Sequence, residues 1–182
     1  MSENESETSR LSEVELPLNR DNFMRSMIRE LAGTLQDVVG LEEASGFISV
    51  VGQTMGHRIN RDYREALGVD SLSRQQVAEL LIDLKARING DFYLIEMTDE
   101  KIVLGNKACP FGDKVRDRPA MCMMTSNVFG SITADNLGYA KVVLADTIAS
   151  GSPTCEVVLY LTPTPESDAS EGREYYGVSD AR

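Results

Sequence analysis

The chain carries three cysteines, Cys109, Cys122 and Cys155, all between Lys107 and Leu161. Thiolates are soft ligands that suit Zn²⁺ or an iron–sulfur cluster. Their spacing is C-x12-C-x32-C, with no C-x-x-C knuckle, so spacing alone is a weak metal signature. Three readings stand side by side. In the metal reading, Cys109, Cys122 and Cys155 hold one ion or cluster. His57, Asp113, a solvent molecule or an exogenous ligand then takes the fourth tetrahedral position. In the thiol reading there is no metal. Cys122 sits at a helix start near Arg116 and Arg118, which lowers its pKa and lets it oxidise reversibly with Cys109 or Cys155. In the third reading the cysteines are small buried hydrophobes.

Other groups with chemical potential are few. His57 is the single histidine and lies beside Arg58 and near Arg61, on a charged flank. A solvated or capping role is simpler there than metal ligation or pH sensing. Met121, Met123 and Met124 surround Cys122. As thioethers they suit Cu(I), but 121 and 124 share a helical face and read more simply as core filler. Gly52-x-x-x-Gly56 leaves two bare positions on one helix face, for a ligand or, more simply, for another backbone. There is no Gly-rich phosphate loop with Lys, no G-x-S-x-G and no H-E-x-x-H. Asp113 and Asp117 alternate with Lys114, Arg116 and Arg118, as in a solvated loop. The chain reads as a binding module rather than an enzyme.

The elements that must position these residues follow from periodicity. Phe23, Met27, Leu31, Leu35 and Val38 recur at helical spacing and predict a first helix over about 22–39, stopped by Gly40. A second helix spans 41–67, with Phe47, Ile48, Val51, Met55 and Ile59 as its stripe. Ser73 with Gln76 forms a capping-box pattern ahead of a third, whose stripe is Val77, Leu80, Leu81, Leu84 and Ile88. The period then changes. Residues 92–96 and 101–104 predict a β-hairpin. Pro119 suits the first turn of a fourth helix over about 119–135. Residues 139–148 and 154–161 predict a second hairpin around Ser150-Gly151-Ser152-Pro153. The expected fold class is α+β: N-terminal helices packed on a mostly antiparallel sheet built from hairpins.

Length and charge set the outer limits. A chain of 182 residues suits one domain with tails. Its net charge of -11 is concentrated toward the ends. Residues 1–18 and 164–182 are acidic and Ser-rich and predict disordered tails around a single domain over 19–163. Tyr175 and Tyr176 are then a docking motif or, more simply, part of an inert tail. No basic stripe is present, which argues against nucleic acid as a partner. No apolar run approaches the roughly 20 residues that span a bilayer. The polar start is unlike a signal peptide, and a cytoplasmic location is the default. Met24, Ile28 and Leu35 are apolar enough for a homodimer seam as well as a core.

From Gly40 onward the chain resembles the 4-vinyl reductase-type ligand-binding superfamily, and within it the methanogen output domain 1 family. Gly40-Leu41 with Gly52-x-x-x-Gly56 resembles the family's glycine-punctuated first helix. Asn89-Gly90-Asp91-Phe92 followed by Ile102-Val103 resembles its first hairpin. Cys122 followed by Phe129-Gly130 resembles its Cys-to-Gly helix, and Ser150-Gly151-Ser152-Pro153-Thr154-Cys155 its final turn. The resemblance covers about residues 40–162. It implies a sensory module that binds a small hydrophobic ligand or a metal centre between helices two and four and the sheet, and relays its state to a signalling partner. It implies ligand contacts at Gly52, Gly56, Phe129 and Tyr139, and a zinc-type cysteine site at Cys122 and Cys155. A further family cysteine falls at Thr147 here; Cys109, in Cys-Pro-Phe-Gly-Asp, is the substitute. The superfamily's name also implies an alternative, an enzyme or accessory factor for a tetrapyrrole-like substrate, for which no acid/base or hydride-transfer constellation is present.

Overall fold

The computed structural model describes residues 14–177. Helix α1 (Arg20–Val39) starts where the Asn19 side chain accepts from the Asn22 N–H at 2.8 Å. Gly40, at φ 89°, ends it and opens α2 (Leu41–Leu67). Helix α3 (Arg74–Arg87) carries the expected reciprocal box between Ser73 and Gln76. Strands β1 (Phe92–Met97) and β2 (Lys101–Asn106) form the first hairpin. A 3₁₀ turn (Gly112–Val115) leads to α4 (Pro119–Leu137). The second hairpin is β3 (Tyr139–Asp146) and β4 (Cys155–Tyr160), joined by a 3₁₀ turn over Ile148–Ser150.

The two hairpins join through an antiparallel β2–β4 pair, giving the sheet order β1-β2-β4-β3-β5. Helix α4 packs on β3 and β5, α3 on β1, α2 on α4, and α1 on α2. Eleven residues of α4 are buried, as expected of a helix apolar all round and covered on both sides. The main core joins Val77, Leu81, Phe92, Ile102, Phe129 and Leu159. A smaller cluster joins Ala32 of α1 to Val115, Met121 and Ala149, with Cys109 and Cys122 packed against it.

Two expectations are overturned. Residues 165–176 are folded, against the reading of 164–182 as a disordered tail. Thr164 and Ser167 cap α5 (Pro165–Ala169), and β5 (Arg173–Tyr176) pairs with β3. Burial alternates along β5, so Glu174 and Tyr176 face outward while Tyr175 goes in. The Tyr175 ring lies where a Cβ on Gly130 would sit, 2.1 Å away, and its hydroxyl is 2.9 Å from Ser126 Oγ. Of the tails, 1–13 and 178–182 lie outside the described residues.

The second correction concerns α1 and α2. Only part of their large apolar stripes turns inward: Ile48, Met55 and Ile59 of α2 pack against the cores. Phe23, Leu31, Val38, Phe47 and Val51 are all exposed. The buried positions are small or polar: Ala32 and Gly33 on α1; Ala44, Ser49, Gly52, Gly56 and Asn60 on α2. Close helix approach selects small residues at the contact, which turns Phe47 and Val51 outward. Among the described residues, no helix is long and apolar enough to cross a membrane.

Candidate functional site

Three separate elements deliver the cysteines. Cys109 follows β2 in a turn closed by Gly112 N–H donating to Cys109 O at 2.8 Å. Cys122 lies in the first turn of α4. Cys155 opens β4 and sits opposite Asn106 in the β2–β4 register. All three are free and half-buried, and all line one cavity with Phe92, Thr125 and Thr147. The cavity volume is about 30 Å³. That holds a water molecule or two, or one ion, whereas a cavity of roughly 150 Å³ is what admits benzene. An outer cleft of about 340 Å³ meets the inner cavity at Cys109, which lines both.

The sulfurs are differently solvated. Cys155 Sγ accepts from Ile148 N–H at 3.3 Å. Burial pushes the Cys109 thiol up, against the pull of the Phe111 and Gly112 backbone. Burial pushes Cys122 up to about 12, with Cys109 and Cys155 adding to the rise. The expected lowering at Cys122 by Arg116 and Arg118 is therefore reversed. Arg116 pairs with Asp113 at 3.2 Å, and Arg118 packs against Gly33. Neither guanidinium acts on Cys122.

A lysine completes the site. Lys85 of α3 is 5 % exposed, and its Nζ donates to Thr125 Oγ1 at 2.8 Å. The ammonium also lies 5.4 Å from the Phe92 ring and 5.1 Å from the Phe129 ring. Burial lowers it to about 8, and the charges that pull it back up are those of Cys109, Cys122 and Cys155. Among the described residues no carboxylate pairs with it. Sequence reasoning missed Lys85, although it continues the i, i+4 row of Val77 and Leu81.

The donor set fits a metal in composition but not in its present spacing. Three thiols line an ion-sized void, a donor set that suits a soft ion. Yet among the described residues no three His, Cys, Asp or Glu side chains are placed so that they could hold an ion.

The remaining candidates fall elsewhere. His57 Nδ1 is 2.8 Å from Asp135 Oδ2, within a network through Asn60 and Asn136. Asp113 is exposed and held by Arg116. Neither lines the inner cavity. Gly52 and Gly56 do not meet a ligand space. A Cβ on Gly52 would lie 2.7 Å from Asn127, and one on Gly56 2.9 Å from Ser131, so α2 and α4 leave no groove between them. Tyr139 hydrogen-bonds Glu174 at 2.9 Å and stacks edge-on with Tyr176, away from the cavity. Phe129 is fully buried against Phe92 and forms part of the floor under Lys85. Met121 is buried in the cluster beside the cysteines, and Met124 packs on the main core.

The loop over the cavity is tied to α1, another feature the sequence did not signal. Arg25 Nη1 donates to Pro110 O at 3.5 Å. Arg29 Nη1 donates to Arg116 O at 2.8 Å and also to Lys114 O. The inner face of α1 thus grips the segment that starts at Cys109, while its outer face is apolar and uncovered.

Helices stacked on one antiparallel sheet, with a small cavity at the junction of its two hairpins, define an α+β domain. The sequence profile of methanogen output domain 1 matches residues 27–160, and the chain belongs to that family. Two solved structures share the fold. The phenol-responsive sensory domain of the transcription activator PoxR, with phenol, aligns at TM-score 0.62 and 14% identity, covering 86% of this chain and 82% of its own. A trafficking protein particle complex subunit 3 from Naegleria fowleri, covalently bound to palmitic acid, aligns at TM-score 0.58 and 12% identity, covering 79% and 95%. No curated protein matches the chain at the level of sequence.

Proposed function

We propose that this chain is a sensing and regulatory module whose sensing element is the Cys109–Cys122–Cys155 cavity. The output-domain family and the sensory-domain neighbour support the sensing role. One observation carries the choice of site: three thiols from three elements line a void of about 30 Å³, together with Thr125, to which Lys85 donates. That volume favours a single soft metal ion, zinc above others, over a phenol-sized or tetrapyrrole-like ligand. An iron–sulfur cluster would need more room and a fourth ligand. The raised Cys122 thiol disfavours the thiolate that both redox chemistry and metal binding use, so it does not separate those two readings.

The relay follows the contacts. A ligand engaging Cys109 would act on the 109–116 loop, which Arg25 and Arg29 tie to α1 through the Pro110, Lys114 and Arg116 carbonyls. The exposed Phe23, Leu31, Phe47 and Val51 on α1 and α2 are the surface offered to a signalling partner or to a second copy in a homodimer. A cytoplasmic setting suits three free thiols.

Protein purified without oxygen is expected to carry about one metal ion per chain, or to bind Co²⁺ with a thiolate-to-metal charge-transfer band. Cys109→Ser, Cys122→Ser and Cys155→Ser should each abolish that band while remaining folded. Absence of stoichiometric binding in the wild-type chain would remove the metal reading. A second reading, a small ligand in the outer cleft, rests on its volume of about 340 Å³, within the range of ligand pockets. Native mass spectrometry would show such a ligand as an added mass that persists in Cys122→Ser.

A further inference from the structure

Helix α1 has two distinct sides. Arg25, Arg29, Ala32 and Gly33 turn inward, onto the 109–116 loop, the smaller core cluster and Arg118. On the opposite side Met24, Met27, Leu31, Thr34 and Val38 are all exposed, Leu31 at 63 % and Val38 at 76 %. They recur at alternating steps of three and four residues. That is the narrow row of a two-helix seam, where a core-facing helix shows a wider stripe. The row does not stand alone, because eleven large apolar residues between Phe23 and Val51 are exposed. Counted at roughly 150 Å² each when fully open, the low end for an aromatic side chain, their exposed fractions amount to on the order of 900 Å². A standard interface takes about 800 Å² from each partner, and the largest apolar patch of a monomer is about 300–600 Å².

The charges select the occupant. Arg20 opens α1, where a cation opposes the helix dipole, and Asp37 lies in its last turn, where an anion opposes it. Among the described residues neither has an ion-pair partner. Arg20 also continues the exposed row, four residues before Met24. A second copy of α1 laid antiparallel on this row sets Met24 against Thr34 and Met27 against Leu31. Arg20 then meets Val38, beside Asp37 and the last carbonyls of the neighbouring helix. Each charge is wrong for its own helix and right for its neighbour's. A parallel pair would instead set Arg20 on Arg20 and Asp37 on Asp37. We propose that α1 pairs with α1 of a second copy of this chain, antiparallel about a two-fold axis near Arg29, and so closes a homodimer. The proposal rests on the sensing and regulatory reading only in making this pair its output; the seam can be measured whatever the cavity holds.

Sedimentation equilibrium of the full chain is expected to give the mass of two chains at micromolar concentration. Leu31→Glu sets two like charges near the axis and should weaken dimerisation at least about 100-fold. Leu31→Ser, the milder variant, should weaken it at least about ten-fold. Both should fold as monomers, since Leu31 is exposed. Arg20→Glu and Asp37→Arg each improve the dipole of their own helix, so each monomer should be at least as stable as wild type. Each should nevertheless weaken the dimer about ten-fold, and the double variant should recover several-fold of that loss by reversing the pair intact. A wild-type chain that stays monomeric at every concentration overturns the proposal and leaves the face to a different protein. The sensing reading then still stands or falls by metal and ligand binding. A dimer that both Leu31 variants leave intact is paired elsewhere, which overturns the proposal too. Single charge reversals without effect, or a double variant no tighter than the singles, overturn the antiparallel arrangement.

Discussion

Two regions of the molecule invite a ligand on paper, and only one has room for anything. The α2–α4 seam has two glycines one helical turn apart, and the cysteine site has three thiols far apart in sequence. In the seam, Gly52 and Gly56 let α4 approach until Asn127 and Ser131 occupy the places of the missing side chains. At the cysteine site, a turn, a helix start and a strand start meet at their ends. Element ends cannot interdigitate as regular faces do, so a void of about 30 Å³ remains. Small residues on a regular face therefore mark contact, while reactive residues at element ends mark space.

The comparison breaks most visibly at Gly56. Gly56→Leu adds a whole side chain where a single Cβ already lies 2.9 Å from Ser131 and 3.1 Å from Val128 O. The expected cost is about 3 kcal/mol in urea unfolding, from overpacking. A near-neutral result would mean that the seam holds hidden space after all. Cys155→Ser is the counterpart at the cavity. It should change metal-free stability by about 1 kcal/mol or less while weakening metal binding at least about 100-fold.

Lys85 sharpens the same contrast through pH. Its pKa falls from 10.5 to about 8 on folding. Between those values the unfolded chain holds the proton and the folded chain does not, so stability rises with pH, by at most about 1.4 kcal/mol per unit. Cys122 works in the opposite sense. Its thiol is raised from 9.0 to about 12, so its contribution is present below 9 and is lost as pH climbs toward 12. The visible window is therefore pH 8 to 9. Urea midpoints of the metal-free protein should rise across it in wild type and not in Lys85→Met. Equal slopes would show that Lys85 is less buried than its surroundings indicate. The smallest effect is expected at the outer helices. Leu31→Ser with Phe47→Ser should leave monomer stability within about 0.5 kcal/mol, since both residues are exposed. Sedimentation would register any loss of self-association; an unchanged mass would remove the homodimer.

Much of the fold was legible. The bounds of α2 coincide with the Gly40 and Gly68 stops, the Ser73–Gln76 box sits where its pattern predicts, and Pro119 opens α4. These are local signals, written within a turn or two. What failed was orientation. Phe47 and Val51 have the period of a buried stripe, but periodicity only groups residues on a face, and the small residues of α2 took the inside. Strand β5 was hidden by composition, because the acidic residues around Tyr175 outweigh it in any average, while alternation turns Glu174 outward and Tyr175 inward. Gly52, Gly56 and Tyr139, which the resemblance implies as ligand contacts, lie away from the cavity that the three cysteines line.

By itself the sequence determined that each cysteine stands near the end of an element: Cys109 after β2, Cys122 in the first turn of α4, Cys155 at the start of β4. Caps, turns and period changes are short-range, so those placements needed no partner. Only the tertiary structure decided that the three share one cavity. The β2–β4 pair sets Asn106 opposite Cys155 and so carries Cys109 to that end of the sheet. The packing of α3 and α4 then brings Lys85 beneath them through Thr125. Such long-range register is fixed by the burial of whole faces at once, and no local stretch of the chain encodes it.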